Sequence, residues 1–72
     1  MTLQSFVRNK RKQYGLTQMQ LADRAGVGLR FLRELESGKP TLRMDRVNIV
    51  LNLFGAELGP VPQQREVPDA QG

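Results

Sequence analysis

An all-α fold is predicted by three observations on this 72-residue chain. Apolar residues recur at helical spacing through most of its length, and Gly15, Gly26, Gly38 and Gly55 divide that length into short segments. No segment alternates convincingly like a strand, the nearest being residues 56–61.

The first helix is predicted over about residues 3–14, with Leu3, Phe6, Val7 and Tyr14 on its inner face and Arg8, Lys10, Arg11 and Lys12 around the rest. Gly15 ends it, as glycine commonly does just past a helix C-terminus. The second helix starts at Thr17, where Thr17 and Gln20 have the spacing of a capping box: each side chain can bond the other's backbone N–H. Leu21, Ala22 and Ala25 form its inner face, and Gly26 stops it. The third helix occupies about residues 28–37 with Leu32 and Leu35 inward. The fourth occupies about residues 43–54 with Met44, Val47, Val50, Leu51 and Phe54 inward. Residues 1–59 are thus one small domain of four to five helices. Three of the four prolines, Pro60, Pro62 and Pro68, fall in residues 60–72, a stretch with no apolar periodicity that is expected to be a disordered tail.

Composition narrows the function. The chain has no Cys and no His, which excludes disulfides, thiolate nucleophiles, Cys-based zinc sites and the usual general base at neutral pH. An enzyme is not expected, nor any cofactor or metal. No apolar run approaches the roughly 20 residues that span a bilayer, and the first residues lack a secretory pattern, so a cytoplasmic location is expected. Eleven Lys and Arg oppose seven Asp and Glu, a net charge of +4. Residues 1–59 hold ten basic and five acidic side chains, so the positive field belongs to the folded part and favours a polyanionic partner. A core this small rarely supplies more than roughly 3–5 kcal/mol of stability, which makes a homodimer plausible.

Residues 18–37 read as a helix-turn-helix, two helices crossing steeply over a three-residue turn. Ala22 is small where the third helix crosses the second. Gly26 takes a left-handed turn that a Cβ would penalise by roughly 1–2 kcal/mol. Leu21, Ala25, Val27, Leu32 and Leu35 form the buried set that fixes the crossing.

This pattern, with Gly-Leu-Thr-Gln at 15–18 before it and Glu-Ser-Gly-Lys at 36–39 closing it, resembles the XRE or phage Cro/C1-repressor family of DNA-binding domains over about residues 3–58. The continuation Leu32-Arg33-Glu34-Leu35-Glu36-Ser37-Gly38-Lys39 and Leu42-Arg43-Met44-Asp45 is similar to the small HipB-type antitoxins. Those proteins pair with HipA-like kinase toxins and repress their own operon. The resemblance implies a lambda-repressor-like bundle whose third helix enters the major groove of double-stranded DNA while the second lies across the phosphates.

On that analogy Gly28, Leu29, Arg30, Arg33 and Glu34 face the bases. Arg30 and Arg33 are the candidates for guanine O6 and N7, Leu29 for a thymine methyl, and Glu34 for a cytosine amine or for repelling wrong docking. Gly28 stands where the family often has a polar residue. Gln18 matches the family glutamine that holds a phosphate, with Met19 beside it, and Lys39 and Arg43 are placed to clamp further phosphates. Arg11 and Glu36 match a family pair that joins the first helix to the end of the third. Two copies would present their recognition helices to a palindromic operator.

Alternatives remain at several residues. Arg8, Lys10 and Lys12 form either a solvated helix face or a phosphate strip, and Phe31 either fills the core edge or faces a partner. Ile49 and Leu53, followed by Leu58 and Val61, are either ordinary partly buried residues or an apolar strip marking a dimer or partner interface. In HipB-type proteins two copies join through the region after the fourth helix, a role that a strand over residues 56–61 could fill. A plain repressor with no toxin partner, or an interaction module that binds an acidic protein, are the rival functions. Attachment of the first helix to a membrane surface is excluded once the core claims Phe6 and Val7.

Overall fold

The computed structural model describes residues 1–61, which form four helices in the order α1 (Leu3–Gln13), α2 (Gln18–Ala25), α3 (Leu29–Ser37) and α4 (Met44–Asn52). α1 is opened by a capping box that pattern reading did not single out. The Ser5 backbone N–H donates to Thr2 Oγ1 at 3.2 Å, and the Thr2 N–H donates to Ser5 Oγ at 3.1 Å. α2 is opened by the expected Thr17–Gln20 box, with bonds of 3.1 and 2.9 Å. Gly28 is the N-cap of α3 rather than its first residue, and neither α3 nor α4 has a side-chain cap.

The helices end alike. After α2, Gly26 adopts φ +72° and its N–H donates to the Asp23 carbonyl, while the Val27 N–H reaches back to the Ala22 carbonyl. This left-handed closure satisfies carbonyls that the helix would otherwise leave unbonded. α4 closes in the same way with Gly55 and Ala56, so it stops at Asn52 and residues 53–55 form a turn, short of the expected residue 54.

Val7, Leu21, Ala22, Leu32, Leu35, Val47, Val50 and Leu51 form the buried core, one to three residues from each helix. α3 packs on both α1 and α2, and α4 packs on α2. Leu3, Phe6, Ala25, Val27, Phe31 and Phe54 border this core, so Phe31 sits at the core edge. Leu16 and Leu42, in loops where periodicity carries no information, also pack against it.

Of the residues expected inward, Leu3, Phe6, Ala25, Val27 and Phe54 are only partly buried, and two others, Tyr14 and Met44, neither join the core nor border it. Tyr14 is 58% exposed because it is the C-cap of α1, past the last full turn, where its ring stacks on Phe54 with centroids 5.5 Å apart. Met44 is 70% exposed because it opens α4 before that helix reaches the core, which it first meets at Val47.

Among the described residues there is no strand. Residues 56–61 run as coil in the single chain, with the Ala56 N–H spent on the Leu51 carbonyl and the Leu58 N–H on Asn48 Oδ1 at 2.7 Å. Of the tail expected over residues 60–72, all but Pro60 and Val61 lies outside the described residues. No helix among the described residues is long and apolar enough to cross a membrane.

Candidate nucleic-acid interface

The α2–turn–α3 unit presents a polar face on which two arginines of α3 are exposed. Arg30 lies one residue into α3 with its side chain 93% exposed, and Arg33 is exposed one turn later. Both point away from Leu32 and Leu35, which are fully buried on the opposite side of the helix. Gly28 is exposed at the helix start and Leu29 is half-buried. Leu29, Val27 and Ala22 line an open cleft of about 450 Å³ between the two helices, with the exposed Met19 at its rim.

Acids punctuate this face. Glu34 Oε2 lies 3.5 Å from Arg30 Nε and 3.4 Å from Lys39 Nζ, a contact between α3 and the loop after it. Arg43 donates to both oxygens of Asp45, at 3.2 and 2.7 Å. The hydrogen bond from Arg43, reinforced by its positive charge, holds the Asp45 carboxyl below its ordinary pKa of 3.8. The Arg30–Glu34 spacing of four residues was legible as a helical pair. The Arg43–Asp45 contact was not, because it straddles a helix start.

Behind the face lies a buried polar cluster. Glu36 is 3% exposed, the only charged residue in the core among those described. Its carboxylate accepts from Arg11 Nε at 2.7 Å and Arg11 Nη2 at 3.0 Å, a bidentate pair joining α3 to α1. Arg11 Nη1 also donates to the Leu16 carbonyl at 2.9 Å, and Arg8 Nη1 donates to the Glu36 carbonyl at 3.1 Å. Gln18, expected at a phosphate, donates through Nε2 to Glu36 Oε1 at 3.1 Å. That amide has a second N–H, so the bond to Glu36 orients Gln18 and leaves one donor for another acceptor. Arg8 and Gln18 were not foreseen here, since their partners are 28 and 18 residues away.

The sequence matches the helix-turn-helix family model over residues 7–60. The chain belongs to the helix-turn-helix family. This helix-turn-helix chain is 46% identical over 54 residues to an uncharacterised HTH-type transcriptional regulator, y4mF, of Sinorhizobium fredii. The similarity covers 75% of this chain and 71% of the relative. No solved structure gives a significant match. The family match begins at Val7 and so takes in Arg11, the motif helices, and the Glu36 cluster that locks them.

The apolar residues expected at an interface divide between two surfaces of this helix-turn-helix domain. Leu53 lines a cleft with Tyr14, Leu16 and Phe54, and Ile49, one turn earlier on α4, is 43% exposed. Leu58 and Val61 line a different cleft with Leu3, Phe6 and Leu51, where Leu58 is half-buried against its own core and Val61 is 78% exposed.

Proposed function

We propose that this chain is a sequence-specific transcriptional repressor that binds a palindromic operator as a homodimer. The observation that carries the reading is α3, a helix whose buried side is held by Leu32, Leu35 and Glu36 and whose outer side offers Arg30 and Arg33. A rigid helix with exposed arginines can enter a major groove, and a guanidinium matches guanine O6 and N7 bidentately. Leu29 takes a thymine methyl, and the exposed Gly28 amide lies at the groove edge. Gln18, Met19, Lys39 and Arg43 contact sugar and phosphate and set the register.

Two copies joined through Ile49 and Leu53 at the end of α4, or across the separate surface of Val61 and the half-buried Leu58, would space their α3 helices about one DNA turn, roughly 34–36 Å, apart. Doubling the contacts on one duplex supplies avidity that one module of this size lacks. The resemblance of residues 32–39 and 42–45 to HipB-type proteins extends the reading to an antitoxin that partners a HipA-like kinase and represses its own operon from the cytoplasm.

Fluorescence anisotropy on the DNA upstream of its own gene, against random duplex and across a salt series, tests the core of this reading. Arg30→Ala should cost about 1–3 kcal/mol on the operator and relax preference at one base pair. Lys39→Ala should weaken all sequences alike. Equal losses on operator and random DNA for both variants would remove Arg30 from the bases, and no binding at low salt would favour an acidic protein partner. A kinase-like reading frame beside the gene, whose product co-purifies with this chain, tests the antitoxin role.

A further inference from the structure

Of the four cations expected at DNA, three are already engaged by carboxylates. Arg30 and Lys39 share Glu34, and Arg43 is held by Asp45. Among the described residues, Arg33 is in no ion pair. Glu34 is the hub: its half-buried carboxylate lies 3.5 Å from Arg30 Nε and 3.4 Å from Lys39 Nζ, while the Arg30 side chain stays 93% exposed. Arg30 also sits in the first turn of α3, where the helix dipole disfavours a cation, and a carboxylate four residues on offsets that field.

We infer that Glu34 and Asp45 are internal stand-ins for phosphate that screen the DNA-binding face of the free chain. A phosphate that recruits Lys39 or Arg43 must displace a carboxylate of like charge, and a base edge that recruits Arg30 must draw it off Glu34, so the exchange gains little. Either the cation stays on its acid and the DNA keeps its counterion, or the cation moves and the vacated acid faces the polyanion. Both outcomes lower affinity for any nucleic acid and flatten its dependence on salt. The effect falls on binding as a whole, which keeps so basic a chain from saturating random DNA, and Arg33 remains as the unscreened contact. Glu34 then acts as a positioning residue for two cations and not as a reader of bases.

This inference rests on the reading that α3 meets DNA, and its test separates the two. Binding of wild type, Glu34→Gln and Glu57→Gln to random duplex, to the upstream DNA and to immobilised heparin is compared over a salt series. Glu57→Gln adds the same charge but frees no cation, because Glu57 is in no ion pair among the described residues. Breaking two exposed pairs corresponds to a roughly 2- to 30-fold gain in affinity. Each cation newly placed on a phosphate steepens the log–log salt slope by about 0.9. The expected result is that Glu34→Gln binds random duplex more tightly within that range and operator at least as much more tightly, since Lys39 is freed for phosphate and Arg30 for a base, with a steeper slope, and elutes from heparin at higher salt than Glu57→Gln. Asp45→Asn, which releases Arg43 alone, should give a smaller change of the same sign. Equal behaviour of Glu34→Gln and Glu57→Gln would overturn the inference, as would operator affinity that falls while random-duplex affinity stays unchanged, since Glu34 would then be reading a base. If wild type binds neither duplex, the DNA-binding reading fails, while the heparin comparison still decides whether Glu34 screens the cations.

Discussion

Removing the Glu36 carboxylate should be among the most damaging single changes to this domain. Glu36 is 3% exposed and Arg11 is 13% exposed, so Glu36→Ala strands a guanidinium that retains the Leu16 carbonyl but loses two charge-assisted bonds. It also removes the acceptor of Gln18. Breaking a buried pair from one side costs about 3–5 kcal/mol, most of it the uncompensated charge left behind. A core of this size supplies roughly the same amount, so Glu36→Ala should leave a large unfolded fraction without denaturant. Urea titration followed by far-ultraviolet circular dichroism measures this, with Glu36→Gln as the milder comparison because it keeps an acceptor for Arg11. Because the damage comes from the orphaned charge, adding Arg11→Met to Glu36→Ala should recover part of the loss, a methionine stem filling the site without needing a partner. A Glu36→Ala variant within about 1 kcal/mol of wild type, the range of an exposed pair, would refute the reasoning. A double variant as unstable as the two single losses added together would refute the orphan-charge account.

Leu32 is fully buried where α3 meets the rest of the core, and Leu32→Ala should cost about 2–5 kcal/mol, read as a shift of the urea midpoint with little change in slope. Gly26→Ala should cost about 1–2 kcal/mol from its φ of +72° alone, because a Cβ there meets no atom within 4 Å; a cost above 3 kcal/mol would mean that the turn, and not only the residue, is disrupted. Gly38→Ala adds a contact, its Cβ falling 2.7 Å from Gln4 Nε2, so it should be at least as destabilising, although the end of the Gln4 side chain can move aside. Asp45 has its pKa lowered on folding by Arg43, so its contribution is present above its ordinary 3.8 and is lost as pH falls through the lower folded value. Acid titration of Asp45→Asn beside wild type should therefore show the wild type losing a small advantage only below about pH 4, and a difference that grows toward neutral pH would contradict the assignment.

Capping and periodicity made most of the fold legible. The Thr17–Gln20 box, the closing glycines and the spacing of Leu21, Leu32, Leu35, Val47 and Val50 depend on residues within one or two turns of each other, and these were placed correctly. Tyr14 and Met44 were misplaced because both fit the apolar period but stand at helix ends, where the period still predicts a direction and the helix no longer meets the core. Leu16 and Leu42 stand in loops, which have no period to read, so spacing does not predict their packing against the core. The outward direction of Arg30 and Arg33 follows from the inward leucines and the Arg30–Glu34 contact from its four-residue spacing, whereas the contact of Lys39 with Glu34 depends on side-chain reach.

By itself the sequence determined the helical segments, their caps and stops, the inner face of each helix and the basic character of the surface, because all of these arise from local backbone chemistry and side-chain alternation. Tertiary structure decided how the Glu36 site is completed, bringing Gln18 and the Arg8 guanidinium from other elements onto the residue that the family resemblance pairs with Arg11. It also decided that Glu34 lies between Arg30 and Lys39, and that Leu53 and Leu58 line different clefts. The physical reason is distance. A buried charge recruits whichever donors the packing brings within about 3 Å, and neither that packing nor the partner it selects is written in the spacing of any single helix.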